Sequence, residues 1–543
     1  MRHVRRTAWA ALGLVVLSQG GTAQVPGPTL SSVQLPKGSE LIDALYADVD
    51  GRGAADVVVA RTDESGSRRI LSVHLSDAAN DDRLSRSPSA TMDLPPDVVA
   101  FLVADVHPDP GAEVVLLNAR GAFAWRPTGG AEPPIVRLFE VDFLWQIPGA
   151  WDGRAGLEVF AWPSGARDLN GDGLDDLCLP EPEGYRIALQ VDDEVRFPRT
   201  HVLSIPGNSE GAVLLERGPG GRKGAARARR RNREVAVGFG EEGLSFEERA
   251  GPLVSIFETT PAPGIIDWDA DGDLDVMAYT KDEVLVWRQQ QGAGFASAPS
   301  LRLGAPVERD VGRELDVSFS AHAVELDGDG RADCVVFAGD KRSDDIRTQA
   351  MVFVRGTEPE ADPLFGAEGV PRQLLLLAGF VATPRFADVD QDGRLDMILS
   401  VVRPDLIDAV RAASTERLDV QLYVYLNQGG TFSRRPDLEH KLSFAADSTE
   451  YSLRFVADVD GNGLLDLFVR DVDGSGEDQG RGRLVVHRLR KERDRLTLVE
   501  RPLWELSIDE DARVRFPGAH LRRGGREAIL VLEEEQLLCV RWR

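Results

Sequence analysis

The chain contains few residues of the types that usually build disulfide-rich or metal-dependent catalytic sites. Only three of its 543 residues are cysteines, Cys178, Cys334 and Cys539. Their odd number and wide spacing indicate neither a disulfide framework nor a zinc site. Cys178 and Cys334 lie in apolar runs, where a small buried hydrophobic residue is expected. The eight histidines are scattered along the sequence.

Positively charged residues are outnumbered, with 63 Lys and Arg against 89 Asp and Glu. The formal net charge is −26 at pH 7, which argues against nucleic acid as a partner because nucleic-acid-binding proteins concentrate positive charge. Such acidity suits cation binding or solubility. One basic run, Arg217–Arg233 (RGPGGRKGAARARRRNR), predicts a solvated, mobile loop. Binding of a polyanion such as an acidic glycan, or a protease-sensitive or self-docking loop, remains an alternative.

Long apolar runs are absent beyond the first residues, which excludes a transmembrane helix of about 18 or more apolar residues. The N-terminus begins MRHVRR, continues with an apolar run from Ala8 to Leu17 and has small residues at Gly21 and Ala23. This pattern predicts a signal peptide over residues 1–23, with a buried N-terminal helix as the alternative. We therefore expect a secreted protein (extracellular, cell-surface or periplasmic), whose mature chain spans residues 24–543.

An acidic motif recurs along the chain. In DVDQDGRLDMILS, from Asp388 to Ser400, acids occupy positions 1, 3, 5 and 9, glycine occupies position 6, and an apolar strand follows. Close copies begin at Asp168, Asp267, Glu325 and Asp458, and weaker copies begin at Asp48 and Asp105. The 99-residue gap before Asp267 predicts an eroded copy in which AVLLER and EVAVGF, within residues 212–239, form strands. A second eroded copy is expected near the C-terminus, around AILVLEEEQLLCVR.

The acidic motif predicts calcium sites. Carboxylates at positions 1, 3, 5 and 9, with a backbone carbonyl at position 7, form a cage of hard oxygen ligands that suits Ca²⁺. Five loops are expected to hold Ca²⁺, and acidic turns without an ion are the alternative. Their predicted ligands are Asp168, Asn170, Asp172, Asp176; Asp267, Asp269, Asp271, Asp275; Glu325, Asp327, Asp329, Asp333; Asp388, Asp390, Asp392, Asp396; and Asp458, Asp460, Asn462, Asp466.

The two weaker copies are expected to differ from these five. The Asp48 loop carries Arg52 at position 5, where a guanidinium can replace the ion, so its occupancy stays open. The Asp105 loop is interrupted by His107 and Pro110 and is expected to be empty.

Four short strands in each unit of about 60 residues predict the blades of a β-propeller. The recurring D-x-D-x-D-G-x-x-D motif, with LNQGGTF from Leu426 to Phe432, resembles the FG-GAP/VCBS repeats of integrin-α-like β-propellers over about residues 40–540. The resemblance implies a closed propeller, usually seven-bladed, with Ca²⁺ in hairpin loops. With about nine candidate units, the predicted fold is all-β, a closed propeller of about eight four-stranded blades (range 7–9). A strand near Ser31–Leu35 is expected to close the ring against the C-terminal repeat.

Two hypotheses of function follow. No nucleophile elbow, P-loop, dinucleotide-binding motif or HExxH motif is present. The first hypothesis is a non-catalytic, monomeric binding, adhesion or scaffold module for a protein or glycan ligand, and the resemblance favours it. The alternative is an extracellular polysaccharide lyase or hydrolase, since the fold alone does not decide function. The segment Pro404–Leu418 has helical spacing and predicts a helix inserted in a hairpin.

Overall fold

A computed structural model describes most of the chain between residues 27 and 542. The residues left out of the description in that range are 54, 78–82, 96, 108–109, 119–120, 128–134, 142–158, 163–164, 182–183, 191–196, 198, 206–225, 231–232, 241–242, 246–262, 281–282, 291–293, 305–316, 341–346, 356–369, 382–383, 403–416, 446–452, 473–480, 494, 510–511 and 517–527. The predicted signal peptide therefore lies outside the described residues, and so do residues 404–416 of the predicted helix.

The described residues form eight antiparallel sheets that we number as blades 1 to 8 in chain order. The strands of the first four, from first to last, are Leu41–Ala47, Asp56–Thr62, Arg69–His74 and Ala90–Asp93 in blade 1; Ala100–Ala104, Glu113–Asn118, Gly121–Trp125 and Val136–Phe139 in blade 2; Ala166–Arg167, Asp176–Glu181, Gly184–Leu189 and Arg199–Ser204 in blade 3; and Gly264–Ile266, Asp275–Tyr279, Glu283–Trp287 and Leu301–Gly304 in blade 4.

The other four blades follow the same order. Their strands are Val317–Val324, Asp333–Asp340, Arg347–Phe353 and Gln373–Ala378 in blade 5; Phe380–Val381 with Arg385–Ala387, Asp396–Val402, Arg417–Tyr425 and Leu438–Ala445 in blade 6; Leu453–Ala457, Asp466–Val472, Arg481–His487 and Trp504–Asp509 in blade 7; and Arg513–Arg515, Ala528–Leu532, Gln536–Arg541 and Thr29–Gln34 in blade 8.

Smaller strand pairings occur in addition to these blade strands. Phe160–Ala161 adds to blade 2 in parallel with Ala100–Phe101. A hairpin of Leu489–Glu492 and Arg495–Leu498 follows the third strand of blade 7. The remaining small sheets are Ser76–Asp77 with Arg83–Leu84, and the three strands Ala226–Arg230, Arg233–Gly240 and Gly243–Ser245.

The core consists of eight apolar clusters, each shared by two successive blades. The second and third strands are buried on both faces, as in the run Val57–Ala60, which is fully buried. Successive residues of a strand therefore pack against different neighbouring blades: Phe101 packs against blade 1 and Leu102 against blade 3. The eighth cluster joins Leu530 of blade 8 to Val57 and Val59 of blade 1. The sheets therefore close into a ring of eight blades, as predicted.

The first residues of the described chain complete the last blade. Thr29–Gln34 pairs antiparallel with Gln536–Arg541, with Thr29 opposite Arg541 and Gln34 opposite Gln536. The expected closing strand is therefore confirmed. This pairing covers the otherwise open edge of strand Gln536–Arg541, which would invite aggregation if it were exposed.

The prediction of an eroded blade in the 99-residue gap is wrong. Leu203 of blade 3 and Val276 of blade 4 belong to one apolar cluster, and Leu274 N–H donates to Leu169 O across the same boundary at 3.0 Å. No blade fits between them, so the intervening chain is an insertion. EVAVGF is a strand in a three-stranded sheet, whereas AVLLER lies outside the described residues.

Two predicted insertions are only partly described. The basic run is not a simple loop, because Ala226–Arg230 and Arg233–Gly240 form a β-hairpin with Arg230 opposite Arg233. Of the predicted helix Pro404–Leu418, only Arg417 and Leu418 are described with their backbone, and both belong to strand Arg417–Tyr425. Within the described residues, no helix is long and apolar enough to cross a membrane.

Candidate metal centres

Each acidic loop connects the first strand of a blade to its second strand. This holds for blades 1 to 7, whose loops begin at Asp48, Asp105, Asp168, Asp267, Glu325, Asp388 and Asp458 and end with an acid at position 9. The position 9 acid is the first residue of the second strand in every one of these blades. The motif therefore occupies the same place around the ring seven times.

The acid at position 1 folds the turn. In blade 6 the two oxygens of Asp388 accept hydrogen bonds from the N–H groups of Asp392 and Gly393, both at 2.9 Å. In blade 7 Asp458 accepts from Asn462 and Gly463 at 2.9 and 2.7 Å. Glycine at position 6 has a positive φ, +90° at Gly393, which favours glycine. The amides of the loop thus converge on the position 1 carboxylate.

The acid at position 9 is buried and joins the loop to the third strand. Asp275 is 2% exposed. Its Oδ2 accepts from Trp268 N–H at 2.8 Å and its Oδ1 from Gln289 N–H at 2.7 Å. The same pair of bonds recurs at the position 9 aspartates of the other blades, which are Asp56, Asp176, Asp333, Asp396 and Asp466. Each carboxylate therefore links three segments of its own blade.

Burial of these groups is electrostatically costly. Desolvation raises the pKa of each position 9 aspartate to about 7, although the two amide N–H donors oppose this, and neighbouring loop acids raise it further. Burial likewise raises the pKa of Asp269, Asp327 and Asp460, all at position 3. A bound cation would relieve both costs, because it favours the charged form of every carboxylate around it.

Five of the loops bring three carboxylates within ligand distance of one another. One oxygen from each acid lies within 4.8 Å of the other two in the groups Asp48, Asp50, Asp56; Asp267, Asp269, Asp271; Glu325, Asp327, Asp333; Asp388, Asp390, Asp396; and Asp458, Asp460, Asp466. Four of these loops were predicted to hold calcium. The fifth is the Asp48 loop, whose occupancy the sequence left open.

Buried oxygens without partners show that the loops fit a cation. Oδ1 of Asp390 and of Asp460 is buried and has no hydrogen-bond partner, and the Asp460 side chain is only 5% exposed. Oδ1 of Asp48 and of Asp269 is buried in the same way. An unsatisfied buried carboxylate oxygen is expensive, and a hard cation such as Ca²⁺ would complete the donor set.

The position 5 acids contribute less to these groups than predicted. Asp392 is exposed, and its Oδ1 accepts from Arg394 N–H at 3.0 Å. Asp329 and Asp172 make the same bond to position 7 N–H groups at 2.8 and 2.9 Å. Among the position 5 acids that the structure describes, only Asp271 belongs to a group of three. In the other loops position 5 shapes the turn.

Blades 2 and 3 differ from the rest. In blade 3, Asp168, Asp172 and Asp176 form no such group of acids among the described residues. Asn170 there accepts from Asp172 N–H at 3.0 Å and donates to Gln190 O at 3.3 Å. In blade 2, Asp109 lies outside the described residues, and the buried Glu113 replaces aspartate at position 9 and accepts from Val106 N–H at 3.2 Å.

Comparisons with known proteins identify no family for this chain. No family model matches the sequence, and no curated protein matches it. Among solved structures, one described as "Structure of Dos1 propeller" is similar with a TM-score of 0.40 and 6% sequence identity, covering 94% of each chain. The assignment to eight blades rests on the strand pairing of this chain.

Sequence reasoning missed the bonds between loops of successive blades. In blades 3 to 6, the residue whose N–H bonds to the position 9 acid also extends its side chain to the position 2 carbonyl of the preceding blade. Gln289 Nε2 donates to Leu169 O at 3.2 Å, and Asn427 Nδ2 donates to Leu326 O at 2.8 Å. Gln190 and Arg355 repeat this contact to Val106 and Trp268. The asparagine of LNQGGTF was visible in the sequence, but its partner about a hundred residues away was not.

Proposed function

We propose that this protein is a secreted, calcium-stabilised β-propeller of the FG-GAP/VCBS type that acts as a binding, adhesion or scaffold module. The observation that carries the proposal is the set of acidic loops with buried, unpartnered oxygens at one place in several blades. Calcium there neutralises repelling carboxylates and holds the first two strands together. The ring then serves as a rigid support for the segments inserted between its strands.

The energy available from such ions is large enough to matter. Extracellular modules bind Ca²⁺ with Kd values of about 10⁻⁴ to 10⁻³ M. At ten times Kd, each site adds about 1.4 kcal/mol to the free energy of unfolding. Five sites supply about 7 kcal/mol, comparable with the total stability of about 5–15 kcal/mol of an ordinary domain.

Calcium titration of thermal unfolding tests the proposal. Protein freed of ions by a chelator should gain several degrees in Tm as CaCl2 is added, and MgCl2 should give a smaller gain because Mg²⁺ dehydrates reluctantly. Asp390→Ala and Asp269→Ala should reduce the gain more than Asp109→Ala, whose loop is interrupted by proline. A Tm that is independent of calcium would refute the proposal.

The binding role has its own test. Insertions on a rigid ring can diverge without harming it, so we expect a protein or glycan ligand to contact the basic segment Arg217–Arg233 or the segment Pro404–Leu418. Replacing either segment by a short Gly/Ser turn should abolish a signal on glycan arrays or in pull-downs while Tm holds. Polysaccharide turnover that is lost on substitution of one acid outside the acidic loops would instead support the alternative hypothesis of a polysaccharide lyase or hydrolase.

A further inference from the structure

The carboxylate at position 3 is paired with a basic side chain in several blades. In blade 4, Arg288 Nη1 lies 3.5 Å from Asp269 Oδ2. In blade 7, Arg488 Nε contacts Asp460 Oδ2. The two arginines occupy equivalent places, because each directly precedes the residue whose N–H bonds to the position 9 acid, Gln289 or Leu489.

Blade 6 obtains the same charge from a different place. Its residue equivalent to these arginines is Leu426, which precedes Asn427. The cation comes instead from the next blade, since Lys491 Nζ lies 3.2 Å from Asp390 Oδ2.

Lys491 is held there by its hairpin. Leu489 and Leu496 of the hairpin Leu489–Leu498 are buried in the cluster between blades 6 and 7. Leu496 N–H donates to Asp437 O of blade 6 at 2.9 Å. The lysine side chain itself is 48% exposed, so it can leave Asp390 without disturbing this packing.

Blade 3 provides the contrasting case. Its position 3 residue is the neutral Asn170, and the residue equivalent to Arg288 is Leu189, which is buried. Asn170 bonds to the Gln190 carbonyl. A basic side chain therefore pairs with the position 3 acid in blades 4, 6 and 7, and also in blade 1, where Arg52 Nε of the same loop lies 3.1 Å from Asp50 Oδ2. In blade 3, where position 3 is an amide, a leucine and a main-chain bond take its place.

We propose that Lys491 is a tethered counterion for the loop of blade 6, which stabilises the ion-free loop and competes with Ca²⁺ for Asp390. The inference rests on the proposed calcium function and deepens it. A calcium ion among Asp388, Asp390 and Asp396 must either displace the ammonium group or bind beside it, and like charges repel. The calcium affinity of one blade is thereby set by a residue of the next, and Arg288 and Arg488 do the same within their own blades.

The substitution Lys491→Met tests this in the full chain. Calorimetric titration with CaCl2 and thermal unfolding with and without chelator are compared with the unsubstituted protein. We expect calcium at one site to bind about two- to fivefold more tightly, as is typical for loss of a partly exposed ion pair, and the Tm with chelator to fall. Tm at saturating calcium should change little.

A matched control removes the effect of net charge. Lys441 is 46% exposed and pairs with Asp419 Oδ2 at 2.6 Å on the outer strands of blade 6, away from the loop. Lys441→Met should leave calcium affinity unchanged. In a background carrying Asp390→Asn, the effect of Lys491→Met on calcium binding should vanish, because its target is gone.

The possible outcomes separate the two proposals. If the unsubstituted protein binds no calcium and gains no stability from it, the proposed function fails and this inference fails with it. If it does respond, but Lys491→Met behaves like Lys441→Met, lowers Tm equally with and without calcium, or keeps its effect beside Asp390→Asn, then Lys491 is only a packing residue and the counterion role is wrong.

Discussion

Position 4 of the acidic loops adopts a left-handed backbone that suits glycine. Gly51, Gly171, Gly328 and Gly461 have φ between 71° and 85° at this position. Blades 4 and 6 place Ala270 (φ 62°) and Gln391 (φ 54°) there instead. A side chain in this conformation costs about 1–2 kcal/mol. Both loops carry aspartates at positions 1, 3, 5 and 9, so backbone strain adds there to charge repulsion.

The strain can be removed by substitution. Ala270→Gly should raise the free energy of unfolding by about 0.5–1 kcal/mol, because the relief of strain exceeds the added entropy of the unfolded chain. Chemical denaturation in the presence of chelator measures it. Gly393→Ala is the converse control: at φ 90° no atom lies within 4 Å of the added Cβ, so a loss of about 1–2 kcal/mol would report backbone strain alone. A destabilised Ala270→Gly variant would contradict this account.

At the scale of the loop, positions 3 and 9 have different roles. Position 9 holds two amides of its blade whether or not an ion is present, as Asp466 does with Val459 and Leu489. Position 3 presents a buried oxygen without a protein partner, as Asp460 does. The former is therefore part of the strand framework, and the latter is the part of the loop that needs a cation.

This difference predicts two kinds of variant. Asp466→Asn should cost about 1–3 kcal/mol with and without calcium, because an amide cannot accept both N–H bonds and one buried donor loses its partner. Asp460→Asn should change the stability in chelator little but should reduce the gain on adding calcium. Denaturation curves for both variants, recorded with chelator and with calcium, measure these changes in stability. If the two variants behaved identically, positions 3 and 9 would have the same role.

The sequence predicts local elements here better than distant ones. The acids of a loop lie within nine residues, so their spacing alone indicates a turn that gathers oxygens. The pairing of Asp390 with Lys491, 101 residues away, depends on how blade 7 packs on blade 6. No local sequence pattern predicts it. The repeat period wrongly predicted a blade in the gap before Asp267, because a long gap in the sequence can hold an insertion instead of a blade. Leu203 and Val276 lie in one apolar cluster, so blades 3 and 4 are in direct contact.

At the scale of the molecule, the eighth blade joins both ends of the described chain. Ser31 lies directly opposite Cys539, whereas Ser32 lies opposite Leu538. Directly paired residues of antiparallel strands have Cβ atoms about 4.5–5.5 Å apart on one face, close to the spacing of a disulfide.

Ser31→Cys should therefore form a disulfide with Cys539 under oxidising conditions. The three native cysteines are free and buried, so a thiol titration of the denatured variant should find two thiols among its four cysteines. Because the bridge closes a very long loop, stability should rise by about 6 kcal/mol if chain entropy is the only term. Ser32→Cys faces the other side of the sheet and should keep all its thiols. If Ser31→Cys also kept all four thiols, the result would argue against closure.

The shared eighth blade also has a consequence for synthesis. Translation proceeds from the N-terminus, and Gln536 follows its partner Gln34 by 502 residues. If a ribosome stops before Gln536, the product leaves Thr29–Gln34 unpaired and the apolar faces of Val33 and Val57 uncovered. Such exposed surface is what chaperones and proteases act on. A chain interrupted before Gln536 is therefore expected to be degraded faster than one in which blade 8 has formed.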